Sequence, residues 1–89
     1  MSEKVESDGR IYSTRDGYIG EFESDGRIYY RSSYVGQLES DGRVYKNSSG
    51  YVGQIENDGR IYKNSSGYVG HINDYEGDKR QAVLEVFFL

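Results

Sequence analysis

The stretch Leu38-Glu39-Ser40-Asp41-Gly42-Arg43-Val44-Tyr45-Lys46-Asn47-Ser48-Ser49-Gly50-Tyr51-Val52-Gly53 decides the fold, because the chain repeats it. From Asp58 to Gly70 the residues match those from Asp41 to Gly53 except that Ile61 replaces Val44. Related units begin at Val5 and Phe22, and the equivalent aspartates Asp8, Asp25, Asp41 and Asp58 stand seventeen, sixteen and seventeen residues apart. Self-similarity at a short fixed period marks stacked supersecondary units, each of which needs its neighbours to bury an apolar face. Copies this close to identical imply recent duplication or deliberate consensus design.

Each unit carries two turn signals separated by short aromatic and β-branched runs, a pattern that prescribes an antiparallel meander. In Glu39-Ser40-Asp41-Gly42-Arg43, Ser40-Asp41 reads as the centre of a type I turn with Gly42 as the left-handed bulge residue. That register sets Glu39 opposite Arg43 and Leu38 opposite Val44, pairing opposite charges and pairing aliphatics. The second turn is Asn47-Ser48-Ser49-Gly50, repeated as Asn64 to Gly67, varied as Thr14-Arg15-Asp16-Gly17 and shortened at Arg31-Ser32-Ser33. Pairing Lys46 with Tyr51 across it would set Tyr45 against Val52 and Val44 against Gly53.

These registers divide the side chains between two faces. Leu38, Val44, Ile55 and Ile61 fall on one, with Tyr34, Tyr51 and Tyr68 at its edge and Gly36, Gly53 and Gly70 between them. The Glu-Arg pairs, Gln37, Gln54, Tyr45 and Val52 fall on the other. A glycine recurring inside a strand marks the close approach of a backbone or an aromatic ring, so the glycine face is expected inward. After a polar turn from Asn73 to Arg80, the run Gln81-Ala82-Val83-Leu84-Glu85-Val86-Phe87-Phe88-Leu89 reads as a closing apolar strand. Such a strand needs cover on both faces, from the repeats or from another subunit.

The expected fold class is therefore all-β: tandem antiparallel β-hairpin repeats of about 17 residues in a pseudo-four-fold β-flower or hairpin-stack arrangement, with no helix of note. At 89 residues the chain makes one domain, 1–89, with repeats near 5–21, 22–37, 38–54 and 55–71 and a closing tail 72–89. Without cysteine there is no disulfide framework or thiolate metal site. A net charge of −4 argues against a nucleic-acid partner. No apolar run approaches the ~20 residues of a membrane span, and Met1-Ser2-Glu3-Lys4 lacks the apolar core of a secretory signal, which favours the cytoplasm as an expectation.

The repeated Asp-Gly-Arg-Ile-Tyr, the Tyr-Val-Gly-x-Ile after each polar turn, and Val86-Phe87-Phe88 together resemble the four-fold β-flower family. That resemblance implies small bacterial proteins of no established activity, with four hairpin petals around a pseudo-four-fold axis. The petals would span Arg10 to Phe22, Arg27 to Leu38, Arg43 to Ile55 and Arg60 to Ile72, closed by strands near Val5 and Val86. The alternation of Tyr, polar Ser-Gly turns and Gly is also similar to choline-binding and glucan-binding cell-wall repeats. Those use aromatic cages to hold a quaternary ammonium or a sugar.

Catalysis lacks raw material. His71 is the single histidine and occupies the slot of Glu21, Gln37 and Gln54, as expected of a polar strand residue. The turn serines have no base nearby, and Asp8, Asp25, Asp41 and Asp58 precede turn glycines, where backbone hydrogen bonding explains them. No enzyme, cofactor or metal is expected. Tyr12, Tyr29, Tyr45 and Tyr62 recur on the expected outer face and form the candidate binding residues, since a Tyr ring offers apolar area and a hydroxyl at low entropic cost. The leading expectation is a structural or interaction module that self-associates, as an oligomer, through its apolar C-terminal strand. The alternatives are a repeat binding carbohydrate, choline or a peptide through the tyrosines, and an engineered repeat without a natural ligand.

Overall fold

The computed structural model describes residues 3–88. Its strands are β1 (Glu3–Val5), β2 (Arg10–Ser13), β3 (Gly17–Phe22), β4 (Arg27–Tyr30), β5 (Ser33–Leu38), β6 (Arg43–Lys46), β7 (Gly50–Ile55), β8 (Arg60–Lys63) and β9 (Gly67–His71). All nine pair antiparallel with their chain neighbours in one open sheet, so the hairpin-stack form of the expected all-β fold is the one adopted. The tight turns dictate this order, because a two- or three-residue loop can only return the chain beside itself. Laid flat, nine strands at ~4.8 Å spacing would exceed the 32 Å longest dimension, so the sheet coils around its inner face.

The first turn of each unit is built as its residues require. Gly42 has φ +96°, its amide donates to the Glu39 carbonyl at 3.0 Å, and the Glu39 amide donates to the Arg43 carbonyl at 2.7 Å. Leu38 faces Val44 and Phe22 faces Ile28 across the strands. The second turn differs from expectation. Val44 does pair with Gly53, but Tyr45 pairs with Tyr51 and Lys46 with Gly50, leaving Val52 as a bulge; the same shift recurs in the other three copies. The extra residue flips the faces beyond it. Val52 thereby packs against the core, and Tyr51 crosses to the outer side.

The tail is the larger correction. The expected closing strand is helical: a 3₁₀ turn over Ile72–Tyr75 leads to α1 (Lys79–Val83), which continues as a π-helical turn over Leu84–Phe88; Leu89 lies outside the described residues. Asp78 caps the start, its Oδ1 accepting from the Arg80 amide at 2.9 Å and the Gln81 amide at 3.4 Å. A short apolar run has no periodicity that separates strand from helix, and here the inner face of the sheet decides. Val5, Ile11, Phe22, Ile28, Val44, Ile55 and Ile61 form a single cluster with Ala82, Val83, Leu84 and Phe87. The helix is thus the second layer of the domain, and each fully covered Ile or Leu contributes ~1.5–3 kcal/mol.

Strand glycines make room for this layer. A Cβ on Gly53 would lie 2.5 Å from a Phe87 ring carbon and 2.2 Å from the Tyr62 carbonyl, and one on Gly36 would lie 2.8 Å from the Phe88 ring. The expected approach of an aromatic ring is supplied by the helix. The expected apolar strand is thus a helical segment packed on the sheet, with no strand edge of its own.

The helical segment also tends both sheet edges. Gln81 accepts from the β1 amide of Val5 at 2.9 Å and donates to the Glu3 carbonyl at 3.1 Å, taking the place of a missing strand. At the far edge, Ile72 donates inward to the Gly59 carbonyl at 2.9 Å, so the preceding amide of His71 faces away from β8. The Asp74 carboxylate accepts that amide at 3.2 Å.

Candidate binding face

The bulge at each second turn creates the recurring feature of the outer face, a cross-strand tyrosine pair. Tyr12 meets Tyr18, Tyr29 meets Tyr34, Tyr45 meets Tyr51 and Tyr62 meets Tyr68, each edge-to-face with ring centroids 5.7–5.9 Å apart. Such pairs contribute ~0.5–1.5 kcal/mol beyond burial. Of the sequence candidates, Tyr12 is exposed and Tyr29, Tyr45 and Tyr62 are half-buried; their partners Tyr18 and Tyr68 are the more exposed rings, at 51% and 59%. The sequence placed Tyr34, Tyr51 and Tyr68 at the edge of the inner face because it lacked the bulge.

The second tyrosine of each pair is oriented by its hydroxyl. Tyr34 donates to Gln37 Oε1 at 3.0 Å and Tyr51 to Gln54 Oε1 at 3.1 Å. The amide nitrogens of Gln37 and Gln54 donate in turn to Glu39 and Glu56. In the first copy Glu21 stands in the glutamine slot. Tyr18 donates to it at 2.8 Å, which raises the phenol's pKa. Glu21 has no amide to offer Glu23; the contact between the two carboxyls, together with the Tyr18 hydroxyl, lowers the pKa of Glu21, and the same contact raises that of Glu23.

Charge pairing differs from the expected Glu39-Arg43 contact. Arg43 instead meets the turn residue Asp41 at 3.3 Å, and Arg10, Arg27 and Arg60 meet Asp8, Asp25 and Asp58 in the same way. Each aspartate also accepts the backbone amide of its arginine, 3.0–3.1 Å away. These carboxylates therefore serve the turns. Among the described residues no group of three or more His, Asp or Glu is placed to hold a metal ion.

Between successive hairpins the tyrosines line shallow grooves. One, of about 330 Å³, is bounded by Tyr34, Gln37, Glu39, Tyr45, Lys46 and Asn47. The next, of about 430 Å³, is bounded by Tyr51, Gln54, Glu56, Tyr62, Lys63 and Asn64, the same residues one repeat on. Sequence reading named the tyrosines as candidates and not Lys46, Lys63, Asn47 and Asn64, which reach the grooves because the ladder to the preceding strand runs on past Lys46 and Lys63, with the amides of Asn47 and Asn64 donating to the carbonyls of Val35 and Val52. At the equivalent boundary of the first repeat, Glu21 and Glu23 set two carboxylates beside Tyr29.

His71 sits at the end of β9 as the cap of the 3₁₀ turn. Its Nδ1 accepts from the Asn73 amide at 3.3 Å, so its Nε2 carries the hydrogen and donates to the Asp58 carbonyl at 2.7 Å. Both ring nitrogens are thereby committed to joining the last hairpin to the tail. No helix of the described residues is long and apolar enough to cross a membrane. Comparison with family models, curated proteins and solved structures gave no match to this chain.

Proposed function

We propose that the protein is a non-catalytic binding module that takes a carbohydrate on its tyrosine-paired outer face. The observation that carries this reading is the duplication of one groove, residue for residue, in adjacent hairpins. Each offers an aromatic ring for the apolar face of a sugar and, from Gln, Asn and Tyr, donors and acceptors for its hydroxyls. Both grooves are open and shallow, as suits a chain-like ligand. Titration of the labelled protein with a panel of soluble glycans, followed by amide chemical shifts, tests it. Shifts at Tyr45, Gln54 and Tyr62, lost in Y45A/Y62A, are expected; an unchanged spectrum across the panel would overturn the reading.

A second reading treats the face as structural, with the tyrosines serving only to pair the strands. The edge-to-face packing favours it, since one ring of each pair covers part of the other. On that reading Y45A and Y62A lower the melting temperature and no ligand restores it.

A further inference from the structure

Resting on the carbohydrate reading, the geometry points to an unbranched β-1,4-linked glycan as the ligand, spanning both grooves with four sugar units. Equivalent residues of the two grooves are one hairpin apart, which is two strand spacings or roughly 9–10 Å across the sheet. An extended β-1,4 chain turns each sugar over relative to the last, so it presents the same face again after a disaccharide, a length close to that spacing. An α-1,4 chain coils and loses the match. A ligand crossing the strands would therefore meet Tyr45 and then Tyr62 with every second unit in the same pose.

Charge narrows the class to neutral sugars. Each groove holds one carboxylate and one ammonium, Glu39 with Lys46 and Glu56 with Lys63, so neither a polyanion nor a polycation is selected. The row stops at two because the first repeat has Glu21 in place of the amide, which sets an additional carboxylate opposite Tyr29. On the last strand, Tyr68 has no following hairpin to complete a groove.

The test is a chemical-shift titration of the full chain with cellobiose, cellotetraose, chitotetraose and maltotetraose. Tethering two weak subsites raises affinity steeply, so a β-1,4 tetraose should bind roughly tenfold or more tighter than cellobiose. Q37A, which alters only the first groove, should reduce that gain to the disaccharide level while keeping its dispersed amide spectrum and the shifts at Gln54 and Tyr62. Equal binding of maltotetraose, or a β-1,4 tetraose no better than cellobiose, would overturn this inference while leaving carbohydrate binding intact. Silence toward every sugar would overturn the carbohydrate reading itself.

Discussion

Gly53 of β7 is the seat of the Phe87 ring: a methyl group there would come within 2.5 Å of the ring and 2.2 Å of the Tyr62 carbonyl. G53A is expected to cost ~1–3 kcal/mol through overpacking, and F87A ~3–5 kcal/mol through the cavity it leaves. Because the two residues touch, the double variant should be less destabilised than the sum of the singles. Urea denaturation of the three variants measures this. A strictly additive cycle would place the whole cost of G53A on the β8 carbonyl.

The shortened turn between β4 and β5 holds Arg31 at φ +49° and Ser32 at φ +73°, a left-handed geometry that costs an ordinary residue ~1–2 kcal/mol. Asn-Gly is the pair this turn favours. R31N/S32G should therefore raise stability by ~1 kcal/mol. The surrendered contact of Arg31 with Asp16, 3.5 Å away on an exposed surface, offsets little. Chemical denaturation of the double variant is the measurement.

Tyr30 buries its hydroxyl without a hydrogen-bond partner among the described residues and packs edge-on against Phe88. Burial, with a smaller contribution from the Glu3 charge, pushes its pKa up to about 12. The unfolded chain loses this proton near 10.0 while the folded chain keeps it, so the stability Tyr30 contributes is complete below that pH and is lost as pH rises from 10 toward 12. In Y30F that alkaline decline should be shallower than in the parent. At neutral pH the variant should match or exceed the parent by up to ~1 kcal/mol, since no hydrogen bond is forfeited. Thermal melts from pH 7 to 12 compare the two.

Glu21 and Glu23 invite a repair copied from the other repeats. In E21Q the amide can donate to Glu23 as Gln37 does to Glu39. The raised pKa of Glu23 means that its present arrangement favours the protonated acid, so its contribution is held at low pH and lost as pH climbs through its titration. The lowered pKa of Glu21 acts in the opposite sense and recovers part of that loss. E21Q should melt slightly higher than the parent at neutral pH, with the gap closing as the solution is acidified into the carboxylate range. Melts at pH 3 and pH 7 read it directly.

Gln81 completes the β1 edge with its side chain, and Q81A removes its contacts to the Val5 amide and the Glu3 carbonyl. A cost of ~1–3 kcal/mol is expected, along with faster hydrogen exchange at Val5. Exchange rates no different from the parent would show that water serves those groups equally well.

The strands were legible because their turns are spelled out locally: Ser40-Asp41-Gly42 and Asn47-Ser48-Ser49-Gly50 specify direction reversals without help from the rest of the chain. The inward glycine face was legible for the same reason, since Gly53 has no local excuse in mid-strand. Two features were not. The bulge at Val52 has no residue signature of its own: the same extra residue appears at Val35 beyond a two-residue turn and at Val52 beyond a three-residue loop ending on Gly50, so the loop does not announce it. The helical tail was hidden because the short, largely buried apolar run from Ala82 to Phe88 carries no period, and only the inner face of the sheet determines what shape fills it. The tyrosine pairs inherit both problems, as their face depends on the bulge.

The helix follows all nine strands in the chain, and this order has a temporal meaning. During synthesis each hairpin can close as soon as it emerges, since its partners are sequence neighbours and loop closure is fast. Yet the oily side of every finished hairpin must wait, uncovered, until Ala82, Val83, Leu84 and Phe87 arrive. The nascent sheet therefore passes through an interval in which it is ordered but adhesive, and that interval closes only when those four side chains settle on it.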